Sequence, residues 1–238
     1  MRKIIVLFGL SLFILGCITG IVFYRLNKNN TTVSDTKDEP NQTVTDYQGI
    51  DVSHHQGKID WKKVAADKNI QFVYIKATEG ATYIDTAYKR NITEARKNGL
   101  KVGSYHFLTP KSAVISQFRN FKNVANKDFQ DLIPMVDVEK PVPKDSIKLF
   151  CKLVEEHYGK KPVIYGTNKS YNLYCAPDFN DYILMIGRYG PNKPVIKGPS
   201  HYDIWQFSEN GRIPGISKPV DLDRIHPDFK VEKLSLNN

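Results

Sequence analysis

The chain has 238 residues, of which 41% are hydrophobic, 25% charged and 11% aromatic, and its formal net charge is +9. That composition is globular and leaves room for one domain of ordinary size with attached segments, or at most two small ones. The charge is uneven: residues 1–28 hold four basic residues and no acid, residues 29–46 are net acidic, and the remainder is strongly basic. A basic domain favours polyanionic partners. No run of Lys and Arg interleaved with aromatics forms a compact patch, so no nucleic acid is expected, and an anionic cell wall or membrane surface fits better.

Arg2 and Lys3 precede an uncharged apolar run from Ile4 to Tyr24, long enough to span a bilayer as a helix. A cleaved signal peptide has a shorter apolar region ending at small residues. Residues 1–26 therefore read as a single-pass signal anchor, with a lipoprotein (Ile14-Leu15-Gly16-Cys17) or a secreted form as alternatives. Residues 27–46 lack aromatics and read as a polar linker. The folded domain is expected over 47–238.

Within it, strand-like runs alternate with helical patterns. The expected elements are a strand over Tyr47–Val52, a helix capped by Asp60, a strand over Phe72–Lys76, and a helix capped by Asp85 and stopped by Gly99. A strand over Lys101–Phe107 follows, then a helix opened by Ser112 with Val114, Phe118, Phe121 and Ala125 on one face. Next come a strand over Leu132–Val138, a helix capped by Asp145 that ends at Gly159, a strand over Pro162–Tyr165 and a short helical stretch at Ser170–Tyr174. After that helices fade, and Tyr182–Ile186, Tyr202–Phe207 and Pro219–Leu222 read as strands. Five βα units and three further strands predict an α/β chain whose eight strands can close a barrel; no GxGxxG turn supports an open doubly wound sheet.

Parallel barrels place their chemistry at the C-terminal ends of strands. Asp51, Asp137, Glu139 and Asp221 fall at such positions. Alternate residues of an extended strand share a face, so Asp137 and Glu139 project together. Two close carboxyls cannot both ionise cheaply, and a protonated acid beside a carboxylate is the equipment for breaking a glycosidic bond. Alone the pattern is weak, because exposed acids at strand ends are common. His54, His55 and His106 lack the further ligands of a metal site, no Cys/His metal spacing exists and no GxSxG elbow appears, so no metal or cofactor is expected. Cys151 and Cys175 are open to either a disulfide or two thiols.

Six segments together resemble a known family. Gly49-Ile50-Asp51-Val52-Ser53-His54-His55 with Ile59-Asp60-Trp61, Phe72 to Gly80, Val102 to Phe107, Pro134 to Glu139, Val163 to Gly166, and Trp205 to Ser208 with Gly211 and Val220-Asp221-Leu222 resemble, in order, the motifs of glycoside hydrolase family 25 lysozymes. The resemblance implies a flattened TIM-like barrel and cleavage of the β-1,4 bond between N-acetylmuramic acid and N-acetylglucosamine in the peptidoglycan glycan strand. Glu139 matches the general acid/base. Asp137 matches the residue that orients the substrate's 2-acetamido group in a retaining route, and Asp51 and Asp221 match the other cleft acids. Tyr105, Tyr165, Trp205, Phe107 and Lys76 match groove positions. Two departures, Gly187-Arg188-Tyr189 after the sixth strand and Asp223 where Asn is frequent, touch substrate detail. The alternatives are a non-catalytic peptidoglycan-binding barrel and a structural envelope spacer. A monomer, membrane-anchored with its domain outside the cytoplasm, is expected.

Overall fold

A computed structural model of the chain describes residues 46–198 and 201–237. The expected membrane-spanning segment over residues 1–26 lies outside them, as does nearly all of the linker over 27–46. Among the described residues no helix is long and apolar enough to cross a membrane.

In chain order the elements are β1 (Gly49–Val52), α1 (Trp61–Val64), β2 (Phe72–Glu79), β3 (Tyr83–Ile84), α2 (Tyr88–Lys97), β4 (Val102–Phe107), α3 (Val114–Val124), β5 (Met135–Asp137), α4 (Lys144–Tyr158), β6 (Val163–Thr167), α5 (Asn168–Ser170), β7 (Leu184–Gly187), β8 (Ile204–Gly211) and β9 (Val220–Ile225). Eight strands run in the order β1-β9-β8-β7-β6-β5-β4-β2, and β1 pairs with β2 to close a barrel. Five strands are followed by helices and three are not, as the periodicity predicts. The sequence reading misses β3, a short strand that folds back on Thr78 and Glu79 outside the closed ring.

All neighbouring pairs from β1 through β2, β4, β5, β6 and β7 to β8 are parallel. β9 is antiparallel to both β8 and β1. The reason is connection length: the segment from Gly211 to Val220 is too short for the crossover of a dozen or more residues that a parallel return requires. The start of β9 therefore lies level with the ends of the parallel strands, and Asp221 pairs directly with Asp51.

The helices cover the outer face of the sheet. α3 contributes Phe118 and Phe121, and α4 contributes Ile147, Phe150, Cys151, Val154 and Tyr158, all buried. Each such ring or aliphatic chain removed from water stabilises by roughly 1.5–3 kcal/mol. His106 belongs to this layer. It is fully buried, stacks on Phe150 at 4.7 Å, and bonds Thr78 and Gln117. Burial lowers its pKa to about 4, so the ring is neutral.

Two of the expected caps sit differently. Asp145 is the second residue of α4, because Pro143 (φ −54°, ψ 137°) holds extended backbone up to the first helical residue and takes the cap position itself. Asp85 accepts from the amide of Ala87 just before α2, and its other oxygen is taken by His54. Asp60 does cap α1, accepting from Lys63 N, and Gly159 ends α4 in the left-handed conformation at φ 89°. Cys151 and Cys175 are both buried free thiols.

Candidate active site

The C-terminal ends of the parallel strands converge on one rim. Asp51 of β1, Asp137 of β5 with Glu139 just beyond it, and Asp221 of β9 line a single cavity of about 120 Å³. Tyr105 of β4 and Tyr165 of β6 complete its wall, with Gln206 of β8 and Tyr189 from the loop after β7. Alternation along the Asp137-Val138-Glu139 segment has the expected result. Both carboxyls reach the cavity while Val138 is buried in the core.

A hydrogen-bonded relay fixes one side. The Tyr165 hydroxyl donates to Gln206 Oε1 at 2.7 Å, and Gln206 Nε2 donates to Asp51 Oδ2 at 2.7 Å. Gly187 leaves room for it, since a Cβ there would stand 2.6 Å from the Tyr165 hydroxyl oxygen and 3.1 Å from Gln206 Oε1.

No acid of the cavity has a cation in salt-bridge contact among the described residues, and their pKa values rise. Burial is the first cause for each. Asp51 is raised to about 6, with the charge of Glu139 adding and the Gln206 bond opposing. Asp221 is raised to about 8 by burial, then by the charges of Asp51, Glu209 and Glu139. Asp137 is pushed well above the carboxylate range by burial and by Glu139, and its Oδ1 has no hydrogen-bond partner among the described residues. Glu139 is raised by burial and held back by Lys140 and Lys76. One layer deeper, Asp223 is fully buried with neither oxygen bonded, and burial together with Asp51 and Asp221 drives it toward the neutral acid. The cavity therefore sets Asp221, raised to about 8, beside Asp51, raised to about 6, so acids of different proton affinity share one site, which is what proton transfer to and from a bound group needs.

Six of the nine residues expected from the sequence meet here: Asp51, Tyr105, Asp137, Glu139, Tyr165 and Asp221. Lys76 and Phe107 are not among the cavity's lining residues. Lys76 lies 5.0 Å from the Phe107 ring and bonds Glu79 at 2.8 Å, while its charge acts on both Asp137 and Glu139. Trp205 is a correction. It lies on the opposite side of β8 from Gln206, 3% exposed, with its indole N–H donated to Arg188 O and the Arg224 guanidinium 5.4 Å from its ring. Gln206 is the inward residue that the sequence reading misses. Its signal was available: it is the lone polar side chain in the run Ile204–Phe207. Tyr189 is missed as a site residue because a loop carries no periodicity. Among the described residues no group of three or more His, Cys, Asp or Glu is placed to hold a metal ion.

Against known proteins, residues 50–216 match the family described as glycosyl hydrolases family 25. The protein YegX of Escherichia coli O6:H1 is 35% identical over 185 residues, covering 74% of this chain and 68% of its own length. The autolytic lysozyme of Clostridium acetobutylicum is 32% identical over 183 residues, covering 75% of this chain and 55% of its own. Among solved structures, a family 25 glycosyl hydrolase from Bacillus anthracis superimposes with a TM-score of 0.70 at 30% identity, over 76% of this chain and 90% of that one.

Proposed function

The chain belongs to glycosyl hydrolase family 25, as a glycoside hydrolase of the lysozyme type that acts on peptidoglycan, and we propose that it is an N-acetylmuramidase with Glu139 as its general acid and base. The observation that carries this reading is the meeting of Asp137 and Glu139 with Asp51 and Asp221 in one cavity at the barrel mouth.

In the proposed reaction the glycan strand lies across the mouth with an N-acetylmuramic acid over the acids. Asp137 accepts the N–H of the 2-acetamido group and turns its carbonyl oxygen toward the anomeric carbon. Glu139 donates a proton to the glycosidic oxygen as the acetamide oxygen bonds the anomeric carbon and the leaving sugar departs. Glu139, now a carboxylate, takes a proton from water as that water opens the cyclic intermediate, with net retention. Asp51, raised only to about 6, places negative potential beneath the positive charge that develops on the ring, and Asp221, raised to about 8, offers its carboxyl to a sugar hydroxyl. Tyr105 and Tyr165 offer faces and hydroxyls to the sugar.

Proton placement follows from the same groups. In this reading the free pair keeps its proton on the more deeply buried Asp137, which burial and Glu139 raise well above the carboxylate range, while Lys140 and Lys76 hold back the rise at Glu139. An acetamide N–H donated to Asp137 stabilises its carboxylate, and a sugar over Glu139 removes water from that side chain. Both effects move the shared proton to Glu139, so substrate binding itself arms the acid. The proposal extends to the rest of the chain: residues 1–26 anchor it, residues 27–46 tether it outside the cytoplasm, and a basic monomeric domain works against an anionic wall.

Mass spectrometry of borohydride-reduced products from purified peptidoglycan tests the bond. Muramitol ends are expected, and glucosaminitol ends would replace the reading with a glucosaminidase. Release of nothing would leave a binding barrel. Proton NMR of the first turnovers tests the route: β-anomer first means retention, and α-anomer first removes the acetamide step.

A further inference from the structure

A second concave surface adjoins the acid cavity. It measures about 620 Å³ and lies between the loops after β1, β2 and β4. Its lining includes His54, His55, Lys76, Tyr83, Lys111 and Ser112. Lys76 is shared ground: it lines this groove, and its charge acts on Asp137 and Glu139. Lys76 also pairs in register with Tyr105 of the cavity wall, so the two surfaces are neighbours on the β4 side of Asp137.

The groove wall is firmly built. Both the backbone amide and ring Nδ1 of His54 bond the buried Asp85 carboxylate, at 3.1 and 2.7 Å. That fixes the imidazole and leaves Nε2 as the ring nitrogen without a bond to Asp85. The Asn120 side chain donates to the carbonyls of Gly80 and Tyr83, which pins the β2–β3 hairpin that forms the far wall. Polar capacity in the groove is only partly used. Lys76 is answered by Glu79 and His54 by Asp85. Among the described residues Lys111 and His55 form no salt bridge, and Glu79, the one carboxylate of the lining, is bonded to Lys76. A rigid groove whose Lys111 and His55 side chains stand in no ion pair among the described residues suits a short peptide that carries carboxylates.

The substrate supplies such a peptide at this place. N-acetylmuramic acid bears its stem through the lactyl ether at C3, next to the C2 acetamide that Asp137 is proposed to hold. We propose that this groove receives the acidic peptide stem of the muramic acid being cleaved, with Lys111 and His55 meeting its carboxylates. The inference rests on the muramidase reading and adds to it the form of substrate that the protein prefers.

The test compares two substrates from one peptidoglycan preparation: stem-bearing glycan, and glycan stripped of stems by an N-acetylmuramoyl-L-alanine amidase. Initial rates of reducing-end release give KM and kcat on each. Lys111→Glu is expected to raise the ratio of KM on stem-bearing to KM on stripped glycan by about five- to tenfold. Lys111→Arg is expected to restore a ratio within about twofold of wild type. Lys111 is exposed, so neither variant threatens the fold. A ratio that stays within twofold in Lys111→Glu overturns the inference, as does an equal failure of Lys111→Arg. If the wild-type protein cleaves neither glycan, the muramidase reading falls and takes this inference with it. Cleavage of both with an unmoved ratio removes the groove alone.

Discussion

The aspartates at the barrel mouth and those on the outer surface are the same side chain under opposite electrostatics. Outside, Asp178 sits between Lys144 and Lys148, and Asp181 bonds Lys161; hydrogen bonds from those lysines lower both pKa values. At the mouth Asp51, Asp137 and Asp221 have no cation in salt-bridge contact among the described residues, and burial raises all three. The linkage signs differ accordingly. A depressed carboxyl contributes stability above its unfolded pKa and loses it as pH falls through the folded value. A raised carboxyl binds its proton in the folded state where the unfolded chain has released it, so stability declines as pH climbs from about 4 toward the folded pKa. The outer acids help hold the domain together, whereas the mouth acids strain it in return for proton chemistry.

The comparison breaks most visibly at its centre. Glu139→Gln is expected to reduce the rate of reducing-end release at least about 10²-fold, the scale of a lost general acid, with the fold intact by circular dichroism. Retained turnover would move the acid elsewhere. Asp137→Asn is expected to be severe but smaller; near-normal rates there would favour a route without acetamide assistance. Next in size is Asp51→Asn. The Asp51 charge helps raise Asp137, so its removal lets the pair lose its proton sooner. The alkaline limb of kcat/KM should move to lower pH, by about half a unit to one unit. An upward move would reverse the assigned sign.

Stability sharpens the contrast further. Asp221, raised to about 8, costs the folded state most at alkaline pH. Asp221→Asn should raise unfolding stability by at least about 1 kcal/mol at pH 8 and by less at pH 4, read from denaturant melts. The smallest effect belongs to the surface. Asp181→Asn is expected to lower stability by no more than a few tenths of a kcal/mol at neutral pH, because its pair with Lys161 is well exposed and screened.

Much of this contrast was legible before any coordinates. The 2-residue period of Asp137-Val138-Glu139 placed both carboxyls on one face, and the change from βα units to bare strands gave the barrel. What escaped was of two kinds. Parity failed at Ile204-Trp205-Gln206-Phe207, where apolar residues occupy both faces and nothing local says which one turns inward. Trp205 went outside and Gln206 inside. Long-range demand also overrode local pattern: Asp85 and Asp145 look like caps, yet one is taken by His54 and the other is displaced by Pro143. The apolar stretch before residue 46 lies outside the described residues.

The antiparallel strand of the closed ring has a temporal meaning. Within the closed ring of the described residues β9 is the strand that pairs backwards, and it joins the end of the domain to its beginning, with Asp223 beside Gly49 and Asp221 beside Asp51. Contacts so distant in sequence are the slowest to be rewarded during folding. The last two carboxyls thus meet only once the ring has shut, so an unfinished chain has no complete cutting edge. Recovery of activity during refolding should trail recovery of helical signal, and hydrolytic competence would then report the moment of ring closure.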